Sequence, residues 1–260
     1  MTMQSKWRES MRRRYVCKRV AGPINIGAGE PDPAWSTLSW SDTFVDITGD
    51  DALHPRFDTR VRLGWDDSFL YVGAALEDPH VWGTITEKNA VMFEDNDFEI
   101  FIDPDRDGLN YYEFEINALG NIWELSLPKP YGKGGEAILG CNIDGLVSTV
   151  RIDGTINNPG DVDRGWVIEV AIPWLGLAPY HRDGACPPRP GDQWRINFSR
   201  VQWRHEVVEG RYVRIPPHGA SLTESLNPEE QTHPEDNWVW SPQGEVNMHI
   251  PQRWGEITFT

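Results

Sequence analysis

The feature that most constrains this chain is a two-residue alternation of apolar and other side chains. Val61 and Leu63 alternate with arginines, and Phe98, Ile100 and Ile102 alternate with acidic or aromatic residues. Because successive side chains of a strand point to opposite faces, this period predicts half-buried β-strands. The few segments with helical spacing are shorter than a stable helix requires. The chain is therefore predicted to be all-β.

The alternation recurs along most of the chain. Further segments that show it are Phe69–Leu76, Tyr111–Asn117, Asn121–Leu127, Trp166–Ile172, Gln193–Trp203 and Trp254–Thr260. Gly, Pro and Asp separate these segments, and they favour turn conformations that strands do not accept. Many short strands between such turns predict an antiparallel β-sandwich, jelly-roll-like, with long loops.

The domain organisation follows from the length and from two irregular segments. A chain of 260 residues fits one large β domain. We predict a basic N-terminal arm over residues 1–20 and a single sandwich domain over residues 21–260. Within that domain, residues 204–237 are predicted to form a long polar loop. Because loops of this length are functional or disordered and this one runs into Asn237-Trp-Val-Trp240, we expect it to roof a binding face.

Charge, hydropathy and motif patterns exclude several classes of partner and cofactor. The net charge of -16 argues against nucleic acid, because phosphate binding needs a basic face. No stretch is apolar for eighteen residues, so no membrane partner is expected. The basic start lacks the apolar segment of a secretory signal, which leaves a cytoplasmic protein, or a secreted or periplasmic one whose leader has been removed. No glycine-rich loop has a strand–helix context, so no nucleotide cofactor is expected.

Tryptophan is unusually abundant, with 13 residues. Indole faces stack on the C–H faces of sugars, whereas sugar hydroxyls need carboxylate and amide partners. Trp166 and Trp194 have apolar neighbours of the same parity and are predicted to lie in the core. Trp238 and Trp240 share one strand face beside the polar loop, and for them ligand contact and core packing both stay open.

A polar face runs along the central strands, opposite the apolar side chains. Its members are Glu99, Glu113, Glu115 and Asn117. If these strands pair, the side chains project together within cross-strand reach. A solvated outer face is the plain alternative. However, Phe101 and Tyr111 share this parity, and aromatic rings beside carboxylates favour a ligand-binding face.

The same carboxylates permit a catalytic alternative. Two carboxyl groups about 5–10 Å apart serve as acid and base in glycoside cleavage. A glycoside hydrolase or polysaccharide lyase would use the four side chains that we group here: Glu99, Glu113, Glu115 and His80. The sequence does not give their separations, and we favour a non-catalytic function.

An acidic turn is the candidate metal site. Asp103, Asp105 and Asp107 alternate through the turn that ends at Gly108, as in the first half of a calcium loop. Phe114 stands where an EF-hand loop requires its glutamate, so this is not an EF-hand. Asp-rich turns between strands still bind calcium through carboxylate and carbonyl oxygens, and a plain polar turn is the alternative.

Five motifs occur in an order typical of a known family. They are Pro31–Trp35, Trp65–Val72, Glu94–Asp105, Tyr111–Asn117 and Gly165–Trp174. In these motifs the chain resembles the family 9 carbohydrate-binding modules and their relatives in the DOMON-like superfamily, over about residues 15–260. The resemblance implies a β-sandwich that binds sugar ends between two aromatic side chains and carries structural calcium.

The resemblance also implies roles for individual residues. Glu99 and Asn117 fall where the family has a sugar-binding glutamate and asparagine. Trp240 resembles the second stacking tryptophan, and Phe93 falls near the first. Glu115 stands where the family has an arginine that donates to sugar hydroxyls, and a carboxylate cannot make those bonds. The expected ligand-binding set is Phe93, Glu99, Glu115, Asn117, Trp238 and Trp240.

The predicted function is non-catalytic binding of mono- or oligosaccharides, including chain ends, with the carbohydrate-active enzyme as the alternative. A second alternative is a haem-binding electron-transfer domain, because some relatives within this resemblance ligate haem with Met and His. Met92, Met248 and His249 are the candidates. Methionine is a frequent core filler, and we expect no haem.

Overall fold

The computed structural model describes residues 12–27, 29–49, 52–182, 184–216 and 233–260. The strands are β1 (Arg14–Arg19), β2 (Val45–Asp46), β3 (Thr59–Trp65), β4 (Phe69–Glu77), β5 (Asp97–Asp103), β6 (Tyr111–Asn117), β7 (Ile122–Leu127), β8 (Ile138–Leu139), β9 (Val147–Asp153), β10 (Gly165–Pro173), β11 (Gln193–Gln202), β12 (Arg204–Val208), β13 (Arg211–Ile215), β14 (Asp236–Val239) and β15 (Gly255–Phe259). One short helix, α1, spans Trp174–Leu177. Turns of 3-10 helix cover Pro33–Thr37, Met92–Glu94, Tyr131–Lys133, Ala178–Tyr180 and Pro251–Arg253. No described helix is both long and apolar enough to cross a membrane.

Two sheets face each other and share β1. The front sheet has the order β8-β7-β6-β5-β11-β15, with β14 also pairing β11 and carrying β2. The back sheet has the order β3-β4-β10-β9. The first four residues of β1 pair with β15 and its last two residues pair with β3, both in parallel. Every other strand pair is antiparallel, which agrees with the predicted all-β sandwich.

The main core lies between the two sheets. The inward side chains of β5 (Phe98, Ile100 and Ile102) are fully buried there, as the alternation predicts. Trp166 and Trp194 belong to the same core, which confirms their assignment. Most of the buried apolar residues belong to this layer. Each buried side chain of this size contributes about 1.5–3 kcal/mol to the stability of the fold.

A second core covers the outer face of the front sheet. It contains Ile47, Met92, Phe101, Tyr111, Trp123, Leu125, Leu127, Val239, Met248 and Trp254. Every residue of β5 and of β6 is buried, although the alternation assigns half of them to an outer face. The outer face is therefore not the solvated face that period two also allows.

Two predicted irregular segments contain strands. In β1, which lies in the predicted arm, Tyr15 and Cys17 are buried while the basic side chains point outward, so the segment alternates like the other strands. The predicted loop over residues 204–237 begins with the hairpin β12–β13. Its two-residue turn at Glu209 and Gly210 has φ of 51° and 75°, the conformation that suits tight hairpins. Residues 1–11 and 217–232 of these two segments lie outside the described residues.

Candidate functional site

Strand pairing brings three glutamates together on the outer face of the front sheet. Glu99 of β5 is paired with Glu115 of β6, and Glu115 with Trp123 of β7. Two residues further along β5, on the same face, Phe101 is paired with Glu113. Because the Cβ atoms of directly opposed residues lie about 4.5–5.5 Å apart, these side chains form one patch of carboxylates and aromatic rings.

The patch is the floor of a cavity whose mouth is open to solvent, with about 590 Å³ of free space when the open part is included. The sheet contributes Glu99, Phe101, Glu113, Glu115, Trp123, Leu125 and Val201. Strand β14 of the same sheet contributes Asn237, and segments beyond the sheet contribute Ile47, Phe93, Tyr131, His233, Glu235, Val246, Asn247, Met248 and His249. His233 and Glu235 come from the segment predicted to roof a binding face, so its described end does border the cavity.

The cavity floor is strongly acidic and poorly solvated. Glu99, Glu113 and Glu115 are 6%, 4% and 1% exposed. Burial raises the pKa of Glu99 to about 7. Burial, followed by the charge of Glu99, raises the pKa of Glu113 and of Glu115 well above the ordinary value. Among the described residues that line the cavity there is no lysine or arginine.

Several buried polar atoms of the floor have no hydrogen-bond partner in the described part of the chain. They are Glu113 Oε2, Glu115 Oε2 and Trp123 Nε1. Because buried polar atoms are nearly always hydrogen-bonded, these three atoms are available to a polar partner, either water or a ligand. Two acceptors and one donor then face the same space.

Aromatic side chains form the walls. The rings of Phe93 and Trp123 are tilted by 38° with centroids 6.2 Å apart. The Tyr131 ring meets the His249 ring edge to face at 4.6 Å. His249 Nδ1 lies 3.0 Å from the hydroxyl of Tyr111. Desolvation lowers the pKa of His249 to about 3, so this imidazole is neutral near pH 7.

The structure places Trp238 and Trp240 in the main core, not in the cavity. They are 3% and 1% exposed. Trp238 is paired with Arg200, whose guanidinium lies 5.1 Å from its ring centroid on the inner side. Trp240 covers Gly255 so closely that a Cβ there would come within 2.1 Å of the indole. Neither indole offers a face to a ligand in this cavity, which corrects the predicted stacking role of both.

Asn117 is also placed apart from the cavity. Its side-chain amide donates to Ile85 O and to Asp95 Oδ2 at 2.8 and 3.0 Å. Its carbonyl accepts the backbone N–H groups of Leu119 and Asn121, both at 3.1 Å. These bonds use the capacity of the amide in holding the turn between β6 and β7, which leaves no group for a sugar.

His80 does not join the three glutamates. Its Nδ1 lies 3.0 Å from the Tyr212 hydroxyl, and its ring lies 5.1 Å from that of His205, beside the β12–β13 hairpin. The predicted catalytic group of four is therefore only partly assembled, with the glutamates together and the histidine elsewhere.

The acidic turn after β5 binds its own backbone. Asp103 accepts the N–H groups of Arg106 and Gly108, each at 2.9 Å, and burial raises its pKa to about 6. Asp107 accepts from Leu109, and Asp105 accepts from the backbone of the 181–182 segment. These three carboxylates do not converge on one point, so the turn does not fit the calcium site predicted for it.

Several cavity residues were not predicted from the sequence. Trp123 had a usable signal, because the parity of β7 places it on the outer face beside Glu115. Tyr131, Glu235 and His249 lie outside the long alternating segments, where no period assigns a face. Their position depends on how distant segments fold over the sheet.

The family comparison covers most of the described sandwich. The profile of the family described as "Carbohydrate family 9 binding domain-like" matches residues 26–192. Endo-1,4-beta-xylanase A of Thermotoga maritima is 26% identical over 156 residues, which is 58% of this chain and 12% of that protein. Endo-1,4-beta-xylanase A of Thermoanaerobacterium saccharolyticum is 24% identical over 151 residues, 58% of this chain and 11% of that protein. The chain therefore spans only a small part of these relatives.

Solved structures share the fold. A family 9 carbohydrate-binding module from Caldicellulosiruptor kristjanssonii, in complex with cellotriose, aligns with a TM-score of 0.54 and 16% identity over 95% of this chain and 94% of that one. A putative carbohydrate-binding protein from Bacteroides uniformis aligns with a TM-score of 0.63 and 15% identity over 96% and 100%. With its profile match over more than half of the sequence, the chain belongs to the carbohydrate family 9 binding domain-like family.

Proposed function

We propose that this chain binds carbohydrate without cleaving it, and that the cavity on the outer face of the front sheet is the binding site. The observation that carries this proposal is the arrangement of Phe93 and Trp123 beside buried glutamates with unpaired oxygen atoms. A sugar ring has an apolar C–H face and a rim of hydroxyl donors and acceptors. Both surfaces have a counterpart in this cavity.

The polar recognition has a distinct chemical character. Hydroxyl groups of a sugar donate to Glu113 Oε2 and Glu115 Oε2, and Trp123 Nε1 donates to a sugar oxygen. Because these groups are buried, each bond forms where water competes poorly, and an unmade bond costs the full desolvation of the group. A neutral ligand rich in hydroxyls satisfies these atoms without adding negative charge.

The relatives suggest which sugars to test first. The Caldicellulosiruptor module is known with cellotriose and with glucose, and the sequence relatives are xylanases. We therefore propose gluco- or xylo-configured oligosaccharides as the ligand class, with glucose, cellotriose and xylotriose as the first panel.

Isothermal titration of the full chain with this panel tests the proposal. We expect Phe93→Ala to weaken the affinity up to about tenfold, because a stacked ring contributes about 0.5–1.5 kcal/mol. Phe69→Ala is the matched control, since Phe69 is a partly buried phenylalanine packed on a separate cluster of the molecule. The control variant should bind like wild type.

Two results would contradict the proposal. Equal losses in both phenylalanine variants would place the ligand elsewhere or indicate a general folding defect. Release of reducing ends from xylan or cello-oligosaccharides by wild-type protein, abolished in Glu99→Gln, would replace non-catalytic binding with the enzyme alternative.

A further inference from the structure

Three acidic side chains converge in the floor of the cavity. One carboxylate oxygen of each of Asp97, Glu99 and Glu115 lies within 4.8 Å of the other two. The three residues are 0%, 6% and 1% exposed, so water does not screen the charges from one another. Among the described residues no other group of three His, Cys, Asp or Glu side chains comes as close.

A fourth buried carboxylate points to the same place. Glu113 is 4% exposed, lies next to Glu115 on β6, and its Oε2 atom has no hydrogen-bond partner among the described residues. Asp97 Oδ2 and Glu115 Oε2 are unpartnered as well. Side-chain contacts join Glu115 to both Asp97 and Glu113, so these buried oxygen atoms either share protons with one another or share a cation.

Two buried carboxylates elsewhere in this protein have a cation beside them, whereas others, such as Asp95 and Asp163, accept hydrogen bonds from backbone N–H groups. Asp78 faces Arg200 at 3.4 Å inside the main core, and the buried carboxylate of Glu124 faces Lys88 at 3.5 Å. No ion pair between described residues includes Asp97, Glu99 or Glu115. Because charged carboxylates are costly to bury without a cation, burial raises the pKa of Asp97 and Glu115, and a cation that replaced their protons would have to come from outside the described side chains.

We propose that Asp97, Glu99 and Glu115 bind a hard divalent cation, with calcium as the expected occupant. Carboxylate oxygen atoms suit calcium, magnesium and manganese, whereas zinc prefers His and Cys ligands that this group lacks. Calcium accepts six to eight oxygen atoms in flexible geometry, so Glu113 or water can complete its shell. Magnesium demands a tight octahedron, which carboxylates on two adjacent strands match less readily.

The position of the cation has a consequence for ligand binding, and this consequence rests on the proposed function. Glu99 and Glu115 line the cavity, so a cation between them has coordination positions directed toward the ligand space. Neighbouring hydroxyl groups of a sugar can replace water at these positions. The cation would then tie carbohydrate affinity to calcium.

Calcium chloride titrated into EDTA-treated, dialysed full-length protein tests the site without any sugar. We expect one calcium per chain, a rise in the melting temperature, and a weaker response to magnesium chloride. Asp97→Asn and Glu115→Gln should each weaken calcium binding at least tenfold, because the amides keep the shape and remove the charge. Circular dichroism of both variants verifies that they are folded.

The acidic turn supplies the matched control. The double variant Asp105→Asn with Asp107→Asn removes two carboxylates from the turn and should bind calcium like wild type. The proposal is overturned if millimolar calcium chloride produces neither heat nor a melting shift. It is also overturned if binding survives Asp97→Asn and Glu115→Gln, or if it is lost in the turn variant.

Sugar titrations with calcium and with EDTA separate this inference from the proposed function. Calcium binding with tenfold tighter sugar binding in calcium supports both. Sugar binding that is identical in EDTA overturns the contact between cation and sugar. Calcium binding without binding of any sugar in the panel supports the cation site and contradicts the proposed function.

Discussion

The two faces of the front sheet are buried in different ways. On the inner face, apolar side chains such as Phe98 and Ile100 pack against the back sheet. On the outer face, carboxylates such as Glu99 and Glu115 are just as inaccessible but lack partners for part of their oxygen atoms. The inner face is therefore purely apolar packing at these positions, and the outer face combines apolar packing with carboxyl groups that need protons, water or a ligand as partners. The difference teaches that burial alone does not identify a structural core.

The largest expected effect is on the inner face. Trp240→Ala removes an indole that fills the space over Gly255, and we expect the free energy of unfolding to fall by about 3–5 kcal/mol. Urea denaturation followed by circular dichroism measures this change. Carbohydrate affinity of the remaining folded protein should stay within about twofold, since the indole does not reach the cavity. Loss of binding with unchanged stability would contradict the assignment of Trp240 to the structural core.

A smaller effect of opposite sign is expected on the outer face. Glu113→Gln replaces a buried carboxylate by an amide of the same shape, which is less costly to desolvate. We expect the free energy of unfolding to rise by about 1 kcal/mol at pH 7.5 in EDTA, while sugar affinity falls. Denaturation and titration of the same preparation give both values. A variant that is less stable than wild type would show that this face contributes to the fold after all.

The third effect is of about the same size and concerns acid stability. The pKa of His249 is about 3 in the fold, below its usual value near 6.5, so unfolded chains bind a proton that folded ones do not. Stability from this group is therefore present above pH 6.5 and is lost as the pH falls toward 3. Because the ring partly faces the cavity, we expect a loss of about 1 kcal/mol between pH 7.5 and 5.

His249→Phe provides the comparison for that measurement. It keeps the ring contact with Tyr131 and removes the titrating group. The unfolding free energy of wild type minus that of the variant should fall by about the same amount when the pH is lowered from 7.5 to 5. A constant difference would show that His249 does not set the acid response.

The sequence predicted which side chains lie on each face of the front sheet, but it did not predict which segments pack over the outer face. Alternation placed Glu99, Glu113 and Glu115 on one face, and placed Trp166 in the core, because a strand fixes side-chain direction locally. It did not decide the direction of Trp238, which depends on the register of β14 against β11. Nor did it show that Tyr131 and His249 fold over the outer face, because such contacts join segments far apart in the chain.

The shared strand β1 also has a mechanical consequence. β1 runs parallel to β15, with Arg14 beside Glu256 and Cys17 beside Phe259. A pull transmitted through the chain from the two sides of these strands draws them along each other, so their hydrogen bonds carry the load together and do not open one at a time. If force is applied through the chain before β1 and after β15, it acts along these two strands. All the hydrogen bonds between β1 and β15 must then break together, which gives the protein high resistance to mechanical unfolding in this direction.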